Sequence, residues 1–205
     1  NANEGYLNVA LHLLCSQGWL LQELDNATDS ISYKCNSKSE RAFELCKYYK
    51  DVNNLLKFSE YYHKRKFQKE PFIVLSRIMN DYTQKYGLAK TDDPTSLEYQ
   101  VLKNIEGIIV GPTTVSLGMG GMFHKYFMMS SFRAEEFHSD SDSFTKILDF
   151  FTWLGWFEKK KETYRFTEKG LFFAKRASAY GVTVSYIPTF RHLDELIFGN
   201  ASFLR

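Results

Sequence analysis

The most regular pattern of apolar and polar positions lies in the C-terminal half of the chain. Apolar side chains recur there three or four positions apart, which predicts a helix with one buried face. Asp140 or Ser141 can cap the first turn of this helix, and Gly155 can end it. The apolar face consists of Phe144, Ile147, Leu148, Phe151 and Leu154. A helix with such a face must pack against other elements of its domain.

A short hairpin and a second helix are predicted directly after this helix. A charged turn over residues 158–163 precedes the short strand Tyr164–Phe166. Thr167 can cap the next helix, which we expect to run towards Tyr180 and to end at Gly181. Helix, strand, turn, strand and helix in this order predict the core and wing of a winged-helix unit.

The N-terminal segment repeats this pattern. An apolar helix from Leu7 to Leu14 ends at Gly18–Trp19, as the later helix ends at Gly155–Trp156. The residues from Tyr33 to Lys38 match those from Tyr164 to Lys169 at a spacing of 131 positions, whereas the two glycines are 137 positions apart. The first hairpin should therefore be six residues longer than the second. We interpret the repeat as an internal duplication.

The two units and the segment between them give the predicted fold class. The intervening segment contains a helix from Leu97 to Val110, which should break at Gly111–Pro112. We predict a mainly α protein with short β wings, in which two winged-helix-like units are joined by a helical connector. The predicted divisions are a first unit at 1–70, the connector at 71–112, and a second unit at 113–205 whose last helix leads to a missing core.

Composition limits the classes of partner and of compartment. Lys plus Arg number 26 and Asp plus Glu 24, so the net charge of +2 gives no reason to expect a polyanionic partner. Cys15, Cys35 and Cys46 lack the spacing of a zinc site, and we expect them to be buried reduced thiols. No signal peptide is recognisable, and no apolar stretch approaches the ~18 residues that span a bilayer. These features predict a cytoplasmic protein.

A glycine-rich stretch at Val115–Gly121 resembles a nucleotide-binding loop. Such a loop needs a strand before it, a helix after it, and an acidic residue about twenty positions further on. Here the third glycine is out of place, and no alternation of strands and helices follows. We therefore interpret these glycines as positions where two helices pack closely.

Side chains for metal binding or nucleophilic catalysis are sparse in the sequence. The five histidines are scattered, and His138 is the one with several acidic neighbours, Glu135, Glu136 and Asp140. Helix capping explains that group better than a metal ion does. Because no serine or cysteine has the local pattern of a nucleophile, we predict no catalytic, cofactor-binding or metal-binding residue in this chain.

A winged-helix fold raises the question of DNA binding. The helix that enters the major groove should present several Arg, Lys, Asn or Gln side chains. The helix from Phe144 to Leu154 offers only Lys146, and its counterpart in the first unit carries Asn8, His12 and Gln17 but no cation. We predict that the chain does not bind DNA.

One basic and aromatic cluster lies between the two units. It could contact nucleic acid, an acidic carrier protein or a phosphopantetheine phosphate, although the solvated face of a connecting helix explains it equally well. The basic residues of this possible carrier-protein patch are Lys57, Lys64, Arg65, Lys66 and Lys69.

Two sets of segments go beyond generic pattern. The first comprises Gly121–Phe123, Phe132–Phe137, Ile147–Trp156 and Tyr164–Gly170. It resembles the N-terminal winged-helix region of S-adenosylmethionine-dependent methyltransferases of the small-molecule O-methyltransferase type, over about 60 residues. In that region a helix, a segment like AEEL, a segment like LxxLGxL, a wing and a segment like YxLTxxG follow one another.

The second set is Ala177–Pro188 with Leu193–Gly199. It resembles the segment just upstream of the catalytic core in C-methyltransferase domains of bacterial polyketide synthases, especially those of chain-initiating modules. In that family the N-terminal helical part forms a lid over the active site. The Rossmann-like core that follows binds S-adenosylmethionine and, in some members, a metal ion.

The resemblance implies a non-catalytic lid and scaffold, because the cofactor motif of the core is absent from this chain. The lid would shape the pocket for methylation of an acyl group on a carrier protein, with the downstream methyltransferase core and the acyl carrier protein as partners. The residues nearest the active site would be Tyr180, Tyr186, Pro188, Arg191 and His192. A helix-breaking turn and an ordinary amphipathic helix explain the same residues. The alternative is a stand-alone winged-helix interaction or transcription-regulatory protein.

Overall fold

The structure is a computed structural model that describes residues 2–49, 73, 77, 92–128, 131–190 and 192–199. These residues are mainly helical, with two antiparallel two-stranded sheets. The predicted fold class, mainly α with short β wings, is confirmed.

The first unit is a helix, a hairpin and a helix. Its elements are α1 (Glu4–Ser16), β1 (Leu20–Asp25), β2 (Ser30–Cys35), α2 (Ser39–Leu45) and a 3-10 helix (Cys46–Tyr49). Asn3 caps α1 by accepting a hydrogen bond from the Tyr6 backbone N–H at 3.3 Å. The strands pair from Leu20 opposite Cys35 to Asp25 opposite Ser30.

The second unit has the full element order of a winged helix. Its elements are α3 (Leu97–Met119), α4 (Met122–Tyr126), a 3-10 helix (Ala134–Glu136), α5 (Ser141–Trp153), β3 (Phe157–Lys160), β4 (Thr163–Phe166) and α6 (Glu168–Ala174). Phe132 adds one extended residue to the sheet by exchanging both backbone hydrogen bonds with Tyr164, at 2.8 and 2.9 Å. Three helices then follow, α7 (Ala177–Ser185), α8 (Ile187–Phe190) and α9 (Leu193–Phe198).

An aromatic cluster forms the centre of the second unit. Phe132 stacks on Tyr126 with ring centroids 4.5 Å apart, and the rings of Phe157 and Phe166 lie 4.7 Å from each other. The largest fully buried side chains include Tyr126, Phe132, Phe144, Phe151 and Tyr164. The predicted helix cap at Asp140 is confirmed, because its carboxylate accepts from the Ser143 backbone N–H at 3.1 Å.

The predicted helix break at Gly111–Pro112 is wrong, because α3 runs through it from Leu97 to Met119. Proline removes one backbone hydrogen bond from a helix. Here the Thr113 hydroxyl donates to the Ile109 carbonyl at 2.7 Å, and the surrounding turns are buried in the core. This burial offsets the cost of the proline, and α3 crosses the predicted boundary between connector and second unit.

The predicted single helix from Thr167 to Gly181 is also wrong. Thr167 does cap α6, with its hydroxyl accepting from the Gly170 N–H at 3.0 Å, but α6 ends at Ala174. Arg176 leaves the helical conformation, and Gly181 lies inside the new helix α7. The chain turns here because α7 packs against α3, a tertiary contact that local sequence does not encode.

The predicted charged turn is shorter than expected. Glu158, Lys159 and Lys160 continue β3, so the turn is reduced to Lys161 and Glu162. Lys161 has a φ of 54°, which two-residue hairpin turns require. The strand extends into these charged residues because one face of the hairpin is exposed to solvent.

The expectation that the cysteines are buried is wrong. Cys35 and Cys46 are exposed, Cys15 is half-buried, and all three are free thiols. Cys15 lies on α1, which has no fully buried residue, and Cys35 ends the edge strand β2. The part of the chain that the structure describes therefore encloses none of the three thiols.

The two units end their first helix in the same way, which supports the internal duplication. Gly18 and Gly155 have φ values of 71° and 80°, and the N–H of the tryptophan after each bonds back to the helix at 2.9 Å. Asn36 and Thr167 then donate from their side chains to the carbonyls of those two glycines, at 3.0 and 2.7 Å. The first hairpin has six-residue strands against four, and its turn also is two residues longer, as the spacing predicted.

Candidate interaction surfaces

The helix α7 is held against α3 by a close backbone approach. A Cβ added to Gly118 would lie 2.9 Å from the Cβ of Ala177, which is too close for two methyl groups. Val115 to Met119 are helical, so no loop is present there to receive a nucleotide. The interpretation of these glycines as helix-packing positions is confirmed at Gly118.

One side of α7 faces inward. Ala177 and Val184 are buried, and they lie seven positions apart on the same face of the helix. Tyr180 lies between them on that face and is half-buried. The first of the predicted active-site residues therefore belongs to the packing of α7 on the second unit.

The opposite side of α7 is apolar and exposed, and it continues into α8. Val182, Tyr186 and Phe190 follow one another at intervals of four residues, and 67%, 55% and 50% of their surface is exposed. The rings of Tyr186 and Phe190 lie 6.2 Å apart. We name Val182, Tyr186 and Phe190 the C-terminal apolar face. Sequence analysis identified only Tyr186, although the four-residue spacing could have found the other two.

The remaining predicted active-site residues lie beside this face or outside the residues that the structure describes. Pro188 is half-buried in α8. His192 is half-buried at the start of α9, with its Nδ1 3.3 Å from the Glu195 carboxylate. Arg191 lies outside the described residues. The predicted carrier-protein patch of Lys57, Lys64, Arg65, Lys66 and Lys69 also lies outside them.

One polar cluster joins α5 to the wing of the second unit. The Tyr164 hydroxyl donates to the Asp149 carboxylate at 2.7 Å, and the Lys159 ammonium lies 2.6 Å from the same oxygen. Burial and the bond to Asp149 raise the pKa of Tyr164 to about 12. Burial alone would lower the pKa of Lys159, but its bonds to Asp149 and Tyr164 hold it above the ordinary value. Both side chains are bonded to the Asp149 carboxylate, so the cluster ties β3 and β4 of the wing to α5.

The surface of α5 carries little positive charge. Asp142 and Lys146 are exposed, and Asp149 is half-exposed and paired with Lys159. A helix that lies in the major groove needs cations and amides on this side. The geometry supports the prediction that the chain does not bind DNA, which stays a prediction.

No group of three or more potential metal ligands occurs among the residues that the structure describes. His138 and Asp140 instead organise the start of α5, since the Asp140 backbone N–H donates to the His138 Nδ1 at 3.0 Å. Among these same residues, no helix combines the length and the apolar character that crossing a bilayer requires.

The elements from α3 to β4, with the added strand residue Phe132, define a winged-helix protein. Residues 106–200 match the family model of the AprA winged helix domain, and residues 1–22 match that of the AprA N-terminal domain. No curated protein matches the chain. Residues 106–200 therefore form a winged-helix domain, and both ends of the chain are similar to parts of AprA.

Proposed function

We propose that this chain is the non-catalytic lid and scaffold of a polyketide-synthase C-methyltransferase. The observation that carries the proposal is the C-terminal apolar face, of which Val182 and Tyr186 lie in the segments that resemble the region just upstream of such a core. Exposed apolar surface of this kind, borne on packed helices, is typical of a contact with another domain.

The lid would act by covering the pocket of the catalytic core. Methyl transfer from S-adenosylmethionine to a carrier-bound acyl group is favoured where water is excluded and the acyl chain is held in place. Val182, Tyr186 and Phe190 supply apolar surface for that purpose. The close contact of Gly118 with Ala177 fixes this surface relative to the winged-helix domain.

The proposal assigns no S-adenosylmethionine site to this chain, and the geometry of the glycine-rich stretch supports this. Gly118 is inside α3, where any side chain would meet Ala177, and Gly120 and Gly121 only end that helix. In the proposed arrangement the cofactor, and any metal ion, belongs to the downstream core. This chain contributes packing and the exclusion of water.

Kinetics on the parent protein test the proposal. The residues that follow Arg205 should form a Rossmann-like core. In the parent, Val182→Asp and Tyr186→Ala should lower kcat for methyl transfer at least tenfold, with the affinity of the core for S-adenosylmethionine unchanged. Phe172→Ala is the matched control, because Phe172 is an exposed aromatic residue on α6, outside the C-terminal apolar face. Unchanged kcat in both variants, or a parent without such a core, would refute the lid.

The alternative, a stand-alone winged-helix interaction or regulatory protein, draws its support from the winged-helix fold of residues 106–200. Binding to duplex DNA distinguishes the two functions. The lid predicts only weak, salt-sensitive association, whereas a nanomolar complex that survives physiological salt would favour the regulator.

A further inference from the structure

The helix α9, near the end of the chain, is in contact with the helix α1 near its start. Among the described elements, α1 makes the most extensive contact with α9. The Asn3 backbone N–H donates to the Ile197 carbonyl at 2.6 Å. Both groups lack a partner within their own helix, because Asn3 caps the start of α1 and Ile197 lies in the last turn of α9. The positive end of one helix dipole therefore meets the negative end of the other, which is the favourable arrangement.

Two side chains of α9 are buried away from the main core. Leu196 and Ile197 are 2% and 7% exposed, yet neither belongs to the cluster of buried residues that forms the core. A helix of six residues is too short to be stable by itself, so α9 depends on the elements that it packs against. Because its most extensive contact is with α1, the burial of these two side chains depends on α1.

The attachment of α1 to the rest of the fold is strongest at its C-terminal end. Leu14 packs there against the core, and its carbonyl accepts a hydrogen bond from the Trp19 N–H at 2.9 Å. Nearer the start of α1, the Tyr33 hydroxyl of β2 donates to the Asn8 side chain, and this bond is exposed and 3.5 Å long. No residue of α1 is fully buried. Elements with few buried contacts separate from a fold at a lower free-energy cost than buried elements do.

The helix α7 is held in a different way from α9. It packs closely on α3, where Ala177 meets Gly118, and this contact does not involve α1. The chain changes direction before α9, because His192 has backbone angles of φ −108° and ψ 26°, outside the helical region. α7 can therefore stay in place on the winged-helix domain when α9 moves.

We propose that α1 is a latch on α9. In the closed state, α1 keeps Leu196 and Ile197 out of water. When the start of α1 separates, α9 is released, and these two side chains become exposed six and seven positions beyond Phe190. The latch also couples two parts of the chain that match different families, since α1 lies within residues 1–22 and α9 within residues 106–200. It is a property of this chain, so it stands or falls independently of the proposed lid.

Two substitutions at Asn3 test the latch in the full 205-residue chain. Asn3→Pro and Asn3→Ala both remove the side-chain cap of α1, but only proline also removes the backbone N–H that bonds to Ile197. The φ of Asn3 is −74°, which proline adopts without strain. The Leu196 and Gly199 amides should exchange hydrogen at least tenfold faster in Asn3→Pro than in Asn3→Ala, with the amides of α5 unchanged. Equal rates in the two variants would overturn the proposal.

Two substitutions on α9 test the same contact from the other side. Leu196→Ala removes a buried side chain, and its matched control, Phe198→Ala, removes one that is 71% exposed on the same helix. Because coupling between two elements is reciprocal, Leu196→Ala should speed exchange of the Leu7 amide of α1 at least threefold, and Phe198→Ala should not. An unchanged Leu7 amide in Leu196→Ala would contradict the latch. An equal acceleration in α5 would contradict it as well, since Leu196 would then support the common core.

Binding of the dye anilinonaphthalene sulfonate, which reports exposed apolar surface, tests what the release uncovers. Asn3→Pro should bind the dye at least twofold more strongly than Asn3→Ala does. Leu196→Asp in the Asn3→Pro background should remove the increase. Faster exchange in α9 without stronger dye binding would mean that α1 covers no apolar surface there, and the latch would be refuted.

Discussion

At the scale of single residues, the two units differ at the contact between the tryptophan before each hairpin and the helix after it. In the second unit, a Cβ on Gly170 would lie 2.0 Å from the Trp156 carbonyl oxygen, so only glycine fits. Ser39 holds the corresponding position in the first unit, and its hydroxyl donates to the Trp19 carbonyl at 2.5 Å. The same carbonyl is approached by backbone in one unit and by a side chain in the other. The carbonyl group of the tryptophan is therefore the contact that both junctions share.

The two tryptophans should accordingly contribute similar amounts to the free energy of unfolding. Trp156 stacks on Phe173 with centroids 5.0 Å apart, and Trp19 is as deeply buried and donates to Gln100 at 3.3 Å. We expect Trp156→Ala and Trp19→Ala each to cost about 3–5 kcal/mol in denaturant unfolding, as truncation of a buried large aromatic residue does. Trp153→Ala is the comparison, because Trp153 is 38% exposed and should cost less than either buried tryptophan. A small loss at Trp19 would show that the first unit unfolds separately.

A second prediction at this scale concerns alkaline pH. The pKa of Tyr164 is about 12 in the folded protein, against about 10 for an unperturbed tyrosine. Because the unfolded chain releases this proton first, the stabilisation is complete below pH 10 and is lost as pH rises towards 12. The free energy of unfolding should therefore fall across this interval, and Tyr164→Phe should reduce the slope. An unchanged slope in Tyr164→Phe, measured by urea unfolding at several pH values, would contradict the buried hydroxyl.

At the scale of elements, the contact of α3 with α7 joins the winged-helix core to the C-terminal helices. Gly118 permits the approach, and Ala177 begins α7 at the point of contact. Small residues on both sides let the two backbones come close, so the position of α7 depends on side-chain size at one place. The contact between Gly118 and Ala177 therefore determines where the C-terminal apolar face lies on the winged-helix domain.

Side-chain size at Gly118 should thus control stability. Gly118→Ala places a methyl group 2.9 Å from the Cβ of Ala177, which we expect to cost about 1–3 kcal/mol. Gly107→Ala in the same helix meets nothing within 4 Å and should instead stabilise by about 0.5–1 kcal/mol. Ala177→Gly in the Gly118→Ala background should recover part of the loss. Thermal unfolding of the four proteins checks the pattern, and equal effects at Gly118 and Gly107 would refute it.

The elements that the sequence predicted are those fixed by local interactions. The helix α5, its cap at Asp140 and the cap at Thr167 depend on residues within a few positions of one another. The continuation of α3 through Pro112, the break before α7 and the strand residue Phe132 depend on contacts with distant parts of the chain. Of the C-terminal apolar face, Tyr186 was predicted from the resemblance, while the exposure of Val182 and Phe190 depends on which side of α7 packs against α3.

At the scale of the whole molecule, the two units share one order of elements but differ in how completely their elements are packed. The second unit is complete, with a covered α5 and a three-part wing, and residues 106–200 match a winged-helix family. The first unit contributes α2 to the shared core, where Ala42 and Leu45 are buried and Arg41 pairs with Glu98 of α3. Its helix α1 has no buried residue and contacts α9, where the Asn3 backbone N–H donates to the Ile197 carbonyl at 2.6 Å. Among the described residues of the second unit, Val182, Tyr186 and Phe190 remain exposed.

The whole chain should therefore fail to bind S-adenosylmethionine by itself. Dinucleotide and nucleoside sites of the Rossmann type need a parallel sheet that presents a glycine loop at the start of a helix. The described strands form only antiparallel hairpins, and the described glycines from 118 to 121 lie in or at the end of α3. Titration calorimetry should show no heat of binding for this chain, whereas the parent protein with its core, used as the control, should bind. Stoichiometric binding at micromolar affinity to the chain alone would mean that it holds a cofactor site of its own, and the lid would then have to be abandoned in favour of an enzyme.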